Sequence, residues 1–177
     1  MAPRTKGEAP MTDHTETSPP QVPAPQNIGD PAPGFDLPRD GGGSVSLASL
    51  AGQTVVVYFY PKDDTSGCTK EAIAFTEAAE DFAAAGAVVL GVSKDPVKQH
   101  DMFKEKHGLS VTLLSDEDGA VCGAYGVWVE KSMYGRKYMG IERATFLIGP
   151  DGAFRQIWRK VKVPGHAAAV LKAARSL

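Results

Sequence analysis

Only two cysteines occur in the 177 residues, Cys68 and Cys122. So few, so far apart, make neither a disulfide framework nor a Cys-x-x-Cys pair. No apolar segment follows Arg4 and Lys6, so a secretory signal fails on its central requirement. Few cysteines and no such signal point to a reducing, cytoplasmic setting. No apolar run is long enough to span a bilayer, and the longest β-rich run, Val55 to Tyr60, is strand-sized. Basic residues are not in excess either: 19 Lys and Arg stand against 21 Asp and Glu, a net charge of −2. No basic run stands out, so neither nucleic acid nor a membrane is expected as a partner. The four histidines, His14, His100, His107 and His166, lack metal-ligand spacing and read as solvated side chains. Asp116-Glu117-Asp118 lacks the later ligands of a calcium loop and reads as a helix cap. Gly41-Gly42-Gly43 lacks the lysine and the following Ser or Thr of a phosphate loop and reads as a turn. Trp128 and Trp158 read as packing residues, since no basic groove accompanies them. No metal or other cofactor is expected.

The length suits one domain with a short appendage, and 42% hydrophobic against 23% charged residues is an ordinary balance. Residues 1–26 read as a disordered tail. Eight of the 13 prolines fall within residues 1–33, and the few apolar residues of the tail show no period. Met11 offers a second start. The domain is expected over 27–177. Phe35-Asp36-Leu37 and Val45-Ser46-Leu47 flank the glycine turn as an N-terminal hairpin. Val55 to Tyr60 is a buried strand that Pro61 stops. A helix is predicted from Thr65–Cys68 to about Ala85, with Ala72, Phe75, Ala79 and Phe82 in one stripe and Gly86 as its cap. Strands follow at Ala87 to Val92 and Val111 to Leu114, separated by a helix between Pro96 and Gly108. A short helix carries Val121, Cys122 and Tyr125. Ala144 to Ile148 and Ala153 to Trp158 form a hairpin across Pro150-Asp151-Gly152, and Pro164 starts a last helix with Val170 and Leu171. This order implies an α/β fold, a mixed central sheet flanked by helices in a thioredoxin-like arrangement.

Cys68 has the address of a reactive thiol. It follows a buried strand and lies in the first turn of a long helix. Unpaired N–H groups and the positive end of the helix dipole favour a thiolate there, and the thiolate is the nucleophile. Gly67 lets the backbone approach a small ligand. A lone cysteine is more often a small buried apolar residue. The neighbours Ser66, Gly67, Thr69 and Lys70 form a polar turn instead.

The segment Pro61-Lys62-Asp63-Asp64-Thr65-Ser66-Gly67-Cys68 resembles the peroxiredoxin signature Pro-x-x-x-Thr/Ser-x-x-Cys. FYPKDDTSGCT, LLSDEDGAVCGAYGVW and GIERATFLIGPDG are similar, in that order, to the bacterioferritin-comigratory (PrxQ) branch of that family. The resemblance spans about 27–177. It implies an antioxidant thiol peroxidase that reduces hydrogen peroxide and organic hydroperoxides through a sulfenic acid on Cys68. Thr65 would hydrogen-bond the peroxide, or serve as the helix N-cap. Arg143, on the strand of GIERATFLI, would stabilise the thiolate and the departing charge; taken alone it reads as a surface ion-pair residue. Pro61 would wall off the pocket besides ending the strand.

The sequence departs from the branch where a second thiol is needed. The position five residues after Cys68, which often holds a resolving cysteine, is Ile73, and His100 to His107 holds none. Cys122 is the remaining sulfur and reads as a buried, inert thiol rather than a resolving one. A monomer is expected, re-reduced by thioredoxin, glutaredoxin or a small thiol. Cys-Thr-Lys-Glu at Cys68 does not provide the motif of a thioredoxin-like disulfide exchanger. A redox-sensor or holdase role stays open beside the peroxidase.

Overall fold

The computed structural model describes residues 26–177. Residues 1–25 of the expected tail, with Met11 and His14, lie outside the described residues. The chain runs β1 (Asp36–Pro38), β2 (Ser44–Ser46), a 3-10 turn at Ala48–Leu50, β3 (Thr54–Phe59), α1 (Ser66–Glu77), α2 (Ala79–Ala84), β4 (Ala87–Ser93), α3 (Val97–His107), β5 (Thr112–Ser115), α4 (Ala120–Ala124), β6 (Trp128–Met133), β7 (Arg136–Ile141), β8 (Ala144–Ile148), β9 (Phe154–Trp158) and α5 (His166–Arg175). Five strands form the central sheet in the order β5-β4-β3-β8-β9. β3 pairs in parallel with β4, and β4 with β5; β8 is antiparallel to both β3 and β9. The thioredoxin-like mixed sheet is therefore present, and β1–β2 form the expected separate hairpin.

Central strand β3 is buried along its whole length because both faces of the sheet are covered. Its side chains alternate between two cores. Val55, Val57 and Phe59 meet Phe35, Leu37, Val121, Cys122, Tyr125 and Ile141 on one face. Val56, Tyr58 and the following Tyr60 meet Cys68, Ala72, Phe75, Phe82, Phe103, Val170 and Leu171 on the other. α4 and the β1–β2 hairpin thus cover one face, and α1, α2, α3 and α5 the other.

The structure corrects the sequence reading of the elements at four places. The helix predicted to Ala85 is broken at Ala78 (φ −91°, ψ 5°), and Ala79 of its stripe is only half-buried. A second hairpin, β6–β7, fills the segment before β8; its two-residue turn Tyr134-Gly135 has φ of 51° and 76°, the left-handed pair such turns require. Arg143 lies just before β8, not on it. The last helix begins at His166, two residues beyond Pro164.

Candidate active site

The site is built where β3 ends. Tyr60 N–H still donates to Val92 O at 3.1 Å, and Pro61, which has no N–H, closes the ladder. The loop that follows is tied to α3 and to the segment just before it. Asp63 N–H donates to Asp95 Oδ2 at 2.8 Å. Asp64, in the left-handed region at φ 60°, accepts from Lys106 Nζ at 2.7 Å and meets His107 Nε2 at 2.8 Å. These two contacts hold the Asp64 carboxyl below its usual range, His107 more than Lys106.

Beneath the loop lies a fully buried polar group. His100 Nδ1 is 2.6 Å from Asp63 Oδ2, and its Nε2 is 2.9 Å from Leu114 O. A carbonyl only accepts, so Nε2 carries a proton. Tyr60 Oη donates to Asp63 Oδ1 at 2.5 Å. Burial opposes a charged His100, but the hydrogen bond and charge of Asp63 outweigh it, and the histidine is raised above its usual value. His100 is 0% exposed and His166 7%. Neither is the solvated side chain the sequence suggested, because each finds a buried partner. For His166 that partner is Thr145 Oγ1 at 2.7 Å from Nε2. Burial and then Arg143 push His166 down to about 4, so it is neutral.

Thr65 precedes α1 with extended backbone angles, the N-cap position, but its hydroxyl makes no capping bond to the helix. It donates instead to Lys62 O at 2.9 Å. That leaves its lone pairs available to an incoming O–H. Pro61 and Thr65 are both exposed. Cys68 is the third residue of α1 and 2% exposed. Its amide is among the first four of the helix, which have no intrahelical acceptor in a regular α-helix.

Arg143 reaches Cys68 from the other end of the sequence. Its Nη2 donates to Cys68 Sγ at 3.3 Å and its Nη1 to Glu71 Oε1 at 2.8 Å. The planar guanidinium fits this bridging task. Gly67 makes room for it: a Cβ there would stand 3.2 Å from Arg143 Nη2. Burial alone would lower the arginine; Glu71 and Cys68 raise it instead, so it stays charged. The arrangement can hold a sulfur anion and a second developing anion beside one fixed cation.

Of the residues singled out in the sequence, Cys68 and Arg143 come together; Thr65 precedes α1, and Pro61 lies just beyond β3. Cys122 does not join them. It is 0% exposed in the core on the opposite face of the sheet. Burial, followed by Asp116, pushes its thiol well above the usual range. As expected, Asp116 serves the short helix, accepting from Val121 N at 3.2 Å and Cys122 N at 2.8 Å. Sequence reasoning missed Glu71, although its place three residues after Cys68 on a helix was a usable signal. It also missed Asp63 and His100.

The AhpC/TSA family model matches residues 28–157. The chain is similar to a putative peroxiredoxin Bcp of Coxiella burnetii, with 54% identity over 144 residues, covering 81% of this chain and 95% of the relative. It is similar to a structure that concerns the alkyl peroxide reduction activity of the Xanthomonas campestris bacterioferritin comigratory protein. That match has a TM-score of 0.77 and 49% identity, over 80% of this chain and 90% of the other. A cysteine-to-serine mutant of Xylella fastidiosa PrxQ matches with a TM-score of 0.82 and 42% identity, over 86% of this chain and 98% of the other.

Proposed function

Because the chain belongs to the AhpC/TSA family and is a thiol-dependent peroxidase of the peroxiredoxin kind, we propose that Cys68 is its peroxidatic nucleophile and Arg143 the cation that serves it. The observation that carries this reading is the 3.3 Å contact from Arg143 Nη2 to Cys68 Sγ at the N-terminus of α1. The sulfur attacks the terminal oxygen of R–O–O–H, the O–O bond breaks, and RO⁻ leaves. Charge moves from sulfur to oxygen, and a cation fixed beforehand stabilises it at both ends without reorganising. Thr65 offers its hydroxyl oxygen as acceptor for the peroxide O–H. Pro61 narrows the approach at the mouth. Alkyl hydroperoxides join hydrogen peroxide as substrates, by analogy with the activity ascribed to the Xanthomonas relative.

The sulfenic acid on Cys68 is reduced from outside the chain, by thioredoxin, glutaredoxin or a small thiol. What supports this is Ile73 at the near resolving position and Cys122 across the sheet. We read residues 27–177 as the catalytic domain and the chain as a monomer working in the cytoplasm. No helix among the described residues is long and apolar enough to cross a membrane, and both cysteines are free. The test is peroxide consumption with a thioredoxin system by wild type and Cys68→Ser. Turnover should vanish in the variant, since a hydroxyl supplies almost no anion at neutral pH. Retained turnover removes Cys68 from the mechanism.

A further inference from the structure

Glu71 is a buried carboxyl that the peroxide step described above leaves unused. It follows Cys68 by three residues, so both side chains share one face of α1. Glu71 is 1% exposed and Cys68 2%. Arg143 stands between them at 2.8 Å and 3.3 Å. One cation therefore faces two groups that can each become an anion. With both ionised, the buried trio carries a net negative charge that the interior penalises. The second carboxyl oxygen adds to the penalty: Glu71 Oε2 is buried with no hydrogen-bond partner, as is Tyr58 Oη.

Of the other groups facing the trio, two are neutral and one, Lys131, is a cation outside it. Burial, then Glu71 itself, pushes the Tyr58 hydroxyl far above its usual range, so it is neutral, and Asp63 and Cys68 act on it in the same sense. His166, facing Arg143 from α5, is neutral as well. Lys131, on β6, is a half-buried cation that faces Arg143, Cys68 and Glu142, and burial lowers it. The balance falls on Glu71, whose carboxyl burial pushes up to about 7 although Arg143 pulls it down.

We propose that Glu71 and Cys68 share one proton across the Arg143 guanidinium, and that Glu71, a positioning residue acting through Arg143, releases that proton when Cys68 is oxidised. The inference rests on the reading of Cys68 as the nucleophile. In the reactive form Glu71 is the acid and Cys68 the thiolate. A sulfur lone pair forms the S–O bond to the terminal oxygen of R–O–O–H, and the O–O bonding pair leaves on RO⁻. Cys68 is oxidised to a neutral sulfenic acid and the peroxide is reduced. Arg143 then faces one candidate anion instead of two, and Glu71 ionises. One proton is released as the alkoxide takes one up. Thiolate, carboxylic acid and ROOH become sulfenic acid, carboxylate and ROH, with charge and protons conserved. By reciprocity, whatever removes the anion at one site favours it at the other.

The experiment counts protons. The reduced full-length chain is mixed with a single equivalent of hydrogen peroxide at neutral pH in weak buffer with a pH indicator, without reductant. Wild type should take up no net proton. Glu71→Gln, which keeps the shape without the acid, should take up about one proton per Cys68 oxidised, and its burst rate should keep its plateau to lower pH. Equal proton counts with superimposable pH profiles would overturn the inference while leaving Cys68 as the nucleophile. Absence of any burst in wild type would remove the nucleophile itself. Infrared spectroscopy tests the coupling without relying on the Glu71 variant. A protonated-carboxyl band should be present in reduced wild type at neutral pH and titrate at lower pH in Cys68→Ser. A band absent from wild type, or indifferent to Cys68→Ser, contradicts proton sharing.

Discussion

Cys68 and Cys122 lie on opposite faces of the central sheet, Cys68 packed with Tyr58 and Phe75, Cys122 with Phe59 and Tyr125. β3 runs between them with every residue buried. A disulfide needs Cα atoms within about 7 Å, and the central sheet stands between these two sulfurs.

Cys122→Ala should therefore keep turnover with an external thiol reductant within about twofold of wild type, the change of a packing residue. Its cost should appear in stability, since it removes a sulfur that is fully buried beside Tyr125. Steady-state peroxide consumption and thermal melting check both. Activity lost in a folded variant would give Cys122 a chemical role.

Arg143→Met should slow peroxide attack by about 10²–10³, the usual loss of one fixed donor at a developing charge. Arg143→Lys should recover only part of it. A single ammonium cannot span the 2.8 Å and 3.3 Å contacts as the planar fork does. Stopped-flow rates of sulfenic acid formation at neutral pH decide this. Rates unchanged in both variants would return Arg143 to the ion-pair role its residue type alone suggested.

Gly67→Ala isolates the packing of Arg143 from its charge. The new Cβ would stand 3.2 Å from Nη2, so the guanidinium must shift by a few tenths of an ångström. Alanine suits a helix better than glycine by about 1 kcal/mol. The melting temperature should hold or rise while the peroxide rate falls. A variant as fast as wild type would mean that the 3.3 Å contact to sulfur tolerates displacement.

The segment 60–68 was legible because its chemistry is contiguous: strand, proline, polar turn and cysteine succeed one another. Arg143 was different, since only family resemblance singled it out; its partners Glu71 and Cys68 are 72 and 75 positions away. His100 was misread for the same reason. Its helix is mostly polar in sequence, and the carboxylate that draws it inside lies 37 positions earlier. The break at Ala78 had no signal, for no glycine or proline interrupts Thr76 to Ala85. The β6–β7 hairpin did have one, a Tyr134-Gly135 turn between strand-sized runs. It was hidden because β6 and β7 expose most of their residues and carry little apolar alternation.

The Asp63–His100 pair predicts a pH dependence of stability. The folded state raises His100 above its usual 6.5. Its contribution is therefore complete below pH 6.5 and is lost as pH rises through the folded value. Glu71 acts in the same sense between 4.5 and about 7. Melting curves should show wild type losing stability as pH rises above 6.5. His100→Gln should lose that slope and start about 3–5 kcal/mol lower, because it leaves Asp63 buried without its counter-charge. Parallel pH curves for the two would contradict an imidazolium at this position.

The most direct test of the whole account is mass spectrometry of the reduced chain after a single equivalent of peroxide, without reductant and with a sulfenic-acid trap present. One trapped adduct per chain is expected, on Cys68, with Cys122 still a free thiol. A stoichiometric Cys68–Cys122 disulfide, or an adduct on Cys122 with Cys68 untouched, would contradict it.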